Sequence, residues 1–315
     1  MSSSSPSVEP DRPSRRVESA VTTPYIVEPV SAHTYSIILL HGLGSNGRRF
    51  GTEFLETAVG SDGKSLPQLL PGTRFIFPTA KRRRSSAFKR SRLTQWFDIA
   101  SLDDPSYKRH TQVEGLEESL GEILDLIDQE KSKIPARNIL LGGLSQGMAM
   151  SVVCLLVMDF PLGGFVGLSG WMPYRQDIEN ILINDDENAD DDNPFGDDAV
   201  DDTTSGEQSE QAPVIKVKEF LHDLLSVSNA RGGGTSGTAI ETPVFLGHGA
   251  ADEKIVPSLG EDARDTLQSI GFAVDWHLYE GQGHWNSVPA EIDDLSNFMK
   301  QAMRWTLHDG KEPAP

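Results

Sequence analysis

The stretch Ile139-Leu-Leu-Gly-Gly-Leu-Ser-Gln-Gly-Met-Ala-Met-Ser-Val-Val153 determines how the rest of the chain is interpreted. It opens with a short apolar run that ends in two glycines, which is typical of a buried strand. Its second half is apolar on almost every side and predicts a deeply buried helix over 146–159. Between the two, Gly143-Leu-Ser-Gln-Gly147 fits the pattern G-x-S-x-G, in which small residues permit a tight strand-to-helix turn that exposes a serine hydroxyl. Ser145 is therefore a candidate nucleophile.

Strand and helix patterns alternate on both sides of this stretch. Continuous apolar runs predict strands over 35–40, 74–77, 138–141, 164–168, 242–246 and 274–279. Apolar spacings of three and four predict helices over 113–134, 256–270 and 289–306. The alternation predicts an α/β fold, with a mostly parallel central sheet flanked by helices on both faces. In such sheets, functional sites form where the strands end.

Two later strand ends offer partners for a nucleophilic serine, which needs a base and an acid that orients the base. Asp252 follows the strand at 242–246, and His284 follows the strand at 274–279. Their order along the chain, serine then acid then histidine, is the order used with G-x-S-x-G elbows. The sequence thus predicts a triad of Ser145, Asp252 and His284.

Other interpretations of these residues stay open. Asp252 could cap the helix that is predicted to begin near Val256. His41 and His248 also follow strands, but each precedes a glycine, and a structural hydrogen-bond donor is the simpler interpretation for both. Four other histidines, His110, His222, His277 and His308, lack a position in a loop at a strand end.

An acyl-transfer site also needs two backbone N–H groups that stabilise the oxyanion. The first is expected from Gln146, which follows the nucleophile, and the second from a loop after an early strand. His41-Gly-Leu-Gly44 is such a loop, and Leu43 is its candidate donor. An ordinary glycine turn would give the same sequence.

The chain has 315 residues and a net charge of −19, which argues against a general nucleic-acid binder. Twelve of its 47 acidic residues and none of its 28 basic ones lie in 185–211, so the remainder carries only −7. With one cysteine, Cys154, no disulfide framework can form, and a reducing compartment is expected. No apolar run is long enough to span a bilayer, and no secretion or lipidation signal is present. We expect a cytoplasmic protein.

One long segment interrupts the alternation of strands and helices. We predict disordered tails over 1–22 and 311–315, and a single folded domain over 23–310 with an insert over 172–238 before the acid-bearing strand. Within the insert, 185–211 is predicted to be disordered and 214–225 helical. The insert could be a lid or a tolerated surface loop.

A second charged segment, Lys81-Arg-Arg-Arg-Ser-Ser-Ala-Phe-Lys-Arg-Ser-Arg92, carries seven basic residues. It could contact an anionic substrate or a membrane surface transiently. It could also pair with the acidic insert, or it could be a solvated loop, which we favour.

The motifs together resemble the phospholipase/carboxylesterase branch of the α/β-hydrolases, which includes acyl-protein thioesterases. The stretches that carry the resemblance occur in the family's order and are His41-Gly-Leu-Gly44, Phe77-Pro78, Trp96-Phe-Asp98, Gly142-Gly-Leu-Ser-Gln-Gly147, Leu168-Ser-Gly-Trp171, His248-Gly-Ala-Ala-Asp252 and Tyr279-Glu-Gly-Gln-Gly-His284. The resemblance implies a cofactor-independent serine hydrolase that has the same triad and the same oxyanion donors.

The resemblance is imperfect around the site. The family usually has Asp-Thr-Gly where this chain has Ser45-Asn46-Gly47, and an apolar, proline-rich loop where this chain has 81–92. None of these departures touches the triad, so we still expect hydrolysis of carboxylic esters or thioesters of small molecules or acylated proteins. The alternatives are a short-chain carboxylesterase without a lipid role and a non-catalytic interaction protein that uses the acidic insert.

No metal-binding or nucleotide-binding motif is visible, so no metal and no cofactor are expected.

Overall fold

The computed structural model describes residues 23–186, 212–227, 237–285 and 288–308. The predicted disorder of the two tails and of most of the acidic segment lies outside these residues, so it stays a prediction. In the described part of the chain, no helix combines the length and the apolar character needed to cross a membrane.

A seven-stranded sheet has the order β1-β3-β2-β6-β7-β8-β9. Its strands are β1 (Tyr25–Val27), β2 (Tyr35–Leu40), β3 (Thr73–Phe77), β6 (Ile139–Leu144), β7 (Gly164–Leu168), β8 (Val244–Gly249) and β9 (Val274–Tyr279). A separate hairpin consists of β4 (Arg82–Arg84) and β5 (Arg92–Thr94). The short edge strand β1 runs antiparallel to β3, and the other neighbours in the large sheet are parallel. The predicted, mostly parallel sheet is confirmed.

Helices cover both faces of this sheet, as predicted. Their bounds are α1 (Gly47–Thr57), α2 (Leu66–Leu69), α3 (Val113–Lys131), α4 (Gln146–Val157), α5 (Arg175–Asp186), α6 (Pro213–Leu224), α7 (Pro257–Ile270) and α8 (Ala290–Gln301), with 3-10 turns at Arg109–Gln112 and Ala136–Asn138. Successive residues of β2 divide between the two resulting cores. Ile38 and Leu40 join the core shared with α3, α4, α6 and α7, whereas Ile37 and Leu39 join the core under α1, α2 and α8. This alternation follows from the two-residue period of a strand.

Helix α1 was missed by the sequence pattern, because two glycines within eleven residues disfavour a helix. Packing explains both glycines. A Cβ on Gly47 would lie 2.0 Å from the carbonyl oxygen of Phe77, and a Cβ on Gly51 would lie 2.5 Å from its ring. Asn46 caps the helix by accepting a hydrogen bond from the N–H of Arg49 at 2.9 Å. The close contact with β3 therefore outweighs the propensity of the segment.

The described parts of the insert are helical and packed. Helix α6 confirms the prediction at 214–225, and Lys218 on its inner face pairs with Asp159 and donates to the carbonyl of Gly237 at 2.8 Å. Helix α5 was not predicted, and it packs against α6 and α7. The insert is thus joined to the domain at both of its ends.

A buried carboxylate links the sheet to α3. Glu130 accepts hydrogen bonds from Ser36 Oγ at 2.7 Å, from Arg74 Nη1 at 2.9 Å and from Lys133 Nζ at 2.6 Å. Burial tends to raise the pKa of Glu130, but these hydrogen bonds and the charge of Arg74 outweigh it, so the pKa lies below its ordinary value. Glu130 is therefore ionised and fully partnered in the fold.

We expect Glu130→Ala to destabilise the protein by about 3 kcal/mol, because it removes the buried partner of Arg74. Urea unfolding measures the effect. Since the pKa of Glu130 is lowered on folding, this stabilisation is present above the unfolded value and is lost as the pH falls through the folded one. Asp128→Ala is the matched control, because it removes only an exposed pair with Lys131 and should cost at most about 1 kcal/mol. Equal losses for the two variants would contradict the prediction.

Candidate active site

Ser145 lies in the tight turn between β6 and α4, with φ 58° and ψ −122°. Few residues other than glycine adopt a positive φ, so the backbone is strained at this position. The two glycines of the motif make the turn possible. A Cβ on Gly147 would lie 2.0 Å from the carbonyl oxygen of Leu40, and a Cβ on Gly143 would lie 2.4 Å from the backbone of Gly147. The sequence pattern thus has the geometric basis that was expected of it.

The structure brings Asp252 and His284 together. His284 Nδ1 lies 2.7 Å from Asp252 Oδ2, and because a carboxylate can only accept, the histidine donates. The other oxygen, Oδ1, accepts from the N–H groups of Lys254 at 2.9 Å and Ile255 at 3.0 Å. Asp252 does not cap the following helix, whose N-cap is Val256. The same carboxylate therefore closes its own turn and orients the histidine.

Backbone hydrogen bonds join the loops that carry these two residues. Ala250 N–H donates to the carbonyl of Tyr279 at 2.9 Å, and Ala251 N–H donates to that of Gln282 at 2.8 Å. The two loops can approach this closely only because residue 249 is glycine: a Cβ at Gly249 would lie 2.3 Å from the carbonyl oxygen of Gln282. These hydrogen bonds connect the loops of Asp252 and His284 to each other.

Trp285 anchors the histidine loop on α1. Its ring meets Phe50 edge-on at 6.0 Å, its Nε1 donates to Thr57 Oγ1 at 3.4 Å, and its carbonyl accepts from the Gln282 side chain at 2.9 Å. Sequence reasoning gave Trp285 no role, and its position beside His284 was the only available signal.

His248 lies close to the same aspartate but is sealed inside the protein. Its Nε2 donates to the carbonyl of Ile255 at 2.9 Å and lies 3.5 Å from Asp252 Oδ2. Burial lowers the pKa of His248, although the hydrogen bond and the charge of Asp252 act in the other direction. Only 1% of His248 is exposed, compared with 17% of the His284 side chain, so His284 is the better placed base. The predicted structural role of His248 agrees with this geometry.

His41 has the structural role that was expected, and it accepts a hydrogen bond as well as donating one. It was expected to be a donor, and its Nδ1 does donate to the carbonyl of Gly42 at 2.8 Å. Its Nε2, however, accepts from the N–H of Ala80 at 3.0 Å. Burial lowers the pKa of His41 to about 4, so the ring is neutral near pH 7 and keeps the lone pair that this acceptor needs.

The two predicted oxyanion donors lie on either side of Ser145, the candidate nucleophile. Gln146 is the first residue of α4, and the N–H groups in a first helical turn have no partner within the helix. The turn that contains Leu43 reaches the serine, since a Cβ on Gly42 would lie 3.8 Å from Ser145 Oγ. The next amide, that of Gly44, is occupied by the carbonyl of Thr94 at 2.8 Å. Leu43 N–H has no acceptor within the described residues, which leaves it available for a ligand.

Trp96 joins the Leu43 turn to the start of α4. Its indole Nε1 donates to the carbonyl of His41 at 2.8 Å, and its backbone N–H donates to the Gln146 side chain at 3.1 Å. The side-chain Nε2 of Gln146 in turn donates to the carbonyl of Phe97 at 2.8 Å. Trp96 and the Gln146 side chain thus hold both predicted donors in place. The motif Trp96-Phe-Asp98 was visible in the sequence, but its role was not.

Ser145 and the Asp252–His284 pair lie at the same edge of the sheet, because each follows the carboxyl end of a parallel strand. No hydrogen bond joins Ser145 Oγ to the His284 ring within the described part of the chain. Catalytic hydrogen bonds in ligand-free enzymes are often long and shorten when substrate binds.

Within the described ranges, no cluster of histidine, cysteine, aspartate and glutamate has the arrangement of a metal site. Cys154 is fully buried in α4, and burial raises the pKa of its thiol. It is a core residue, as predicted.

The parallel sheet, the covering helices and the serine elbow together define an α/β-hydrolase fold. The profile of the Phospholipase/Carboxylesterase family matches residues 21–186, which is more than half of the chain. The chain belongs to this family, and it is an ester or thioester hydrolase.

Individual relatives agree with this assignment. The chain is 30% identical over 277 residues to acyl-protein thioesterase 1 of Yarrowia lipolytica, covering 87% of this chain and 94% of that protein. The crystal structure of Zea mays acyl-protein thioesterase 2 superposes with a TM-score of 0.60 at 25% identity, covering 89% of this chain and 98% of that one. The Bacillus cereus carboxylesterase has a TM-score of 0.55 at 14% identity, covering 90% and 95%, and supports the fold alone.

Proposed function

We propose that this protein removes acyl groups from thioesters or oxyesters, including acylated proteins, through a covalent intermediate on Ser145. The observation that carries the proposal is the 2.7 Å hydrogen bond between His284 Nδ1 and Asp252 Oδ2, at the same edge of the parallel sheet as the Ser145 elbow. The similarity to acyl-protein thioesterases supports the substrate class. A cytoplasmic site of action stays a prediction.

In the proposed reaction, Ser145 Oγ attacks the acyl carbon while His284 Nε2 accepts the hydroxyl proton. The charge that develops on the acyl oxygen is stabilised by the N–H groups of Leu43 and Gln146. His284 then gives its proton to the departing alcohol or thiol. Water, deprotonated by the same nitrogen, attacks the acyl-Ser145 ester; the bond to Ser145 Oγ breaks, His284 returns the proton to that oxygen, and the carboxylic acid is released.

Asp252 supports both halves of this cycle. Its hydrogen bond fixes the proton of His284 on Nδ1, so that Nε2 is free to accept, and its charge stabilises the imidazolium that forms. The loop hydrogen bonds and Trp285 hold the base in position. Since all groups are supplied by the chain itself, the reaction needs no cofactor.

The test is a series of p-nitrophenyl esters from acetate to palmitate, together with one matched thioester and oxyester pair of the same acyl length. We expect hydrolysis that depends on Ser145, with the thioester cleaved at least as fast as the oxyester, because a thiolate is the better leaving group. A serine-dependent optimum at long chains supports lipid or acyl-protein substrates. An optimum at acetate or butyrate would favour the alternative of a short-chain carboxylesterase. Absence of serine-dependent turnover at every length would contradict the proposed function.

A further inference from the structure

The basic segment 81–92 forms most of the hairpin β4–β5, and the alternation of side chains divides its charges between two faces. One face packs towards α3, where Arg83 Nη1 lies 2.6 Å from Glu118 and Lys81 Nζ lies 2.7 Å from Glu122. These two cations are neutralised within the fold. They explain why the hairpin lies against α3 instead of forming the solvated loop that we favoured from the sequence.

The other five cations are exposed. We call them, together with the 41% exposed ring of Phe88, the exposed hairpin face: Arg82, Arg84, Phe88, Lys89, Arg90 and Arg92. None of these cations forms an ion pair with another residue in the ranges that the structure describes. The face therefore presents a concentrated positive charge to solvent.

This arrangement is unfavourable for the hairpin itself. Arg84 lies directly opposite Arg92 in the strand register, and like charges in such pairs are destabilising. Lys89 and Arg90 adopt φ values of 48° and 61° in the connecting turn, a region where asparagine and glycine are preferred. The stability of the hairpin therefore does not explain the cations at these four positions. A role in binding an external anion would explain them.

The hairpin is joined to the oxyanion turn. Gly44 N–H, next to Leu43, donates to the carbonyl of Thr94, the last residue of β5, at 2.8 Å. Two residues further on, Trp96 is bonded to Gln146. The base of the hairpin is therefore held against the turn that contains the candidate oxyanion donor Leu43.

We propose that the exposed hairpin face docks this protein on membranes that contain anionic lipids. A flat anionic surface can contact several cations spread along a hairpin, and an exposed aromatic ring among cations suits the interface between headgroups and acyl chains. The net charge of −19 does not oppose this contact at long range, because charges are screened within about 10 Å at 0.1 M salt. The binding is independent of the proposed function. Only its consequence, the delivery of membrane-bound acyl groups to Ser145, rests on that function.

The test is sedimentation of the full chain with vesicles of phosphatidylcholine alone or of phosphatidylcholine with 30 mol% phosphatidylserine. We expect binding only to the anionic vesicles, and weaker binding at 0.5 M salt. Each cation near an anionic surface contributes about fivefold in affinity, so Arg84→Gln with Arg92→Gln should weaken binding about 30-fold. Phe88→Ser should cause a smaller loss that persists at high salt. Using the Ser145→Ala background prevents any hydrolysis of the lipid.

The matched control is Arg137→Gln with Arg304→Gln, which removes two exposed charges at the opposite end of the strands. Arg137 precedes β6, and Arg304 follows Met303, whose side chain lies against Gly164 at the start of β7. We expect the control to bind like the parent. In the chain that retains Ser145, the Arg84/Arg92 variant should keep its turnover of a water-soluble ester, and its melting temperature should equal or slightly exceed that of the parent, because a like-charge pair is removed.

Three outcomes would overturn the membrane proposal. One is no binding of the full chain to anionic vesicles, which would also be the result if its own acidic segment covered the face. The second is an equal loss in the Arg137/Arg304 control. The third is equal or tighter binding to polyuridylic acid with the same response to the variants, which would indicate a general polyanion surface. None of these results would affect the proposed esterase chemistry, which is measured separately on soluble substrates.

Discussion

Ser145→Ala is expected to reduce ester hydrolysis by a factor of about 10⁴ or more, because it removes the atom that would carry the acyl group. The fold should be unaffected. Alanine occupies the same strained backbone conformation as serine, and it leaves the hydrogen bond from the Ser145 N–H to the carbonyl of Leu168 intact. Turnover of p-nitrophenyl esters and labelling by a fluorophosphonate measure the effect.

Ser169→Ala is the matched control for this variant. Ser169 is also buried, also has a positive φ of 44°, and lies at the end of the neighbouring strand β7. It should keep turnover near the parent level and should still be labelled. Retention of most activity in a clean preparation of Ser145→Ala, or labelling of that variant at the parent rate, would show that the nucleophile lies elsewhere.

Sequence reasoning succeeded where a local pattern and a packing requirement coincide. The strand predicted over 274–279 and the helix predicted over 256–270 are specified by their own residues, and the structure has them at Val274–Tyr279 and Pro257–Ile270. Asp252 and His284 could be singled out because parallel strands bring their carboxyl ends to one edge, even though 32 residues separate the pair.

The same reasoning failed where distant contacts decide the conformation. Gly47 and Gly51 disfavour a helix locally, and only the close approach of β3 explains why α1 forms there. The basic segment showed no strand pattern in the sequence. Its hairpin is explained by distant contacts, since Arg83 and Lys81 pair with carboxylates on α3. The acceptor role of His41 depends on Ala80, 39 residues away, and could not be deduced from a histidine that precedes a glycine.

Asp252→Asn is expected to lower kcat by about 10⁴-fold with little change in KM, because the asparagine amide would donate to His284 Nδ1 and leave the proton on Nε2. A ring in that state cannot accept the proton of Ser145. The substitution is conservative for the fold, because the asparagine carbonyl can still accept from the N–H groups of Lys254 and Ile255. The loss is therefore expected in kcat and in the rate of fluorophosphonate labelling, and not in the melting temperature.

Glu253→Gln removes a carboxylate from the adjacent position and is the appropriate control. Each variant removes one negative charge from the same loop, so a general effect of loop charge should be the same in both. The two positions differ in that Glu253 is exposed, whereas Asp252 is buried beside the histidine. Only a specific role in orienting His284 predicts a large loss for Asp252→Asn and parent-like turnover for Glu253→Gln. More than a tenth of the parent kcat in Asp252→Asn would mean that His284 acts without this aspartate, and His248, 3.5 Å from the same carboxylate, would then have to be tested as the alternative base.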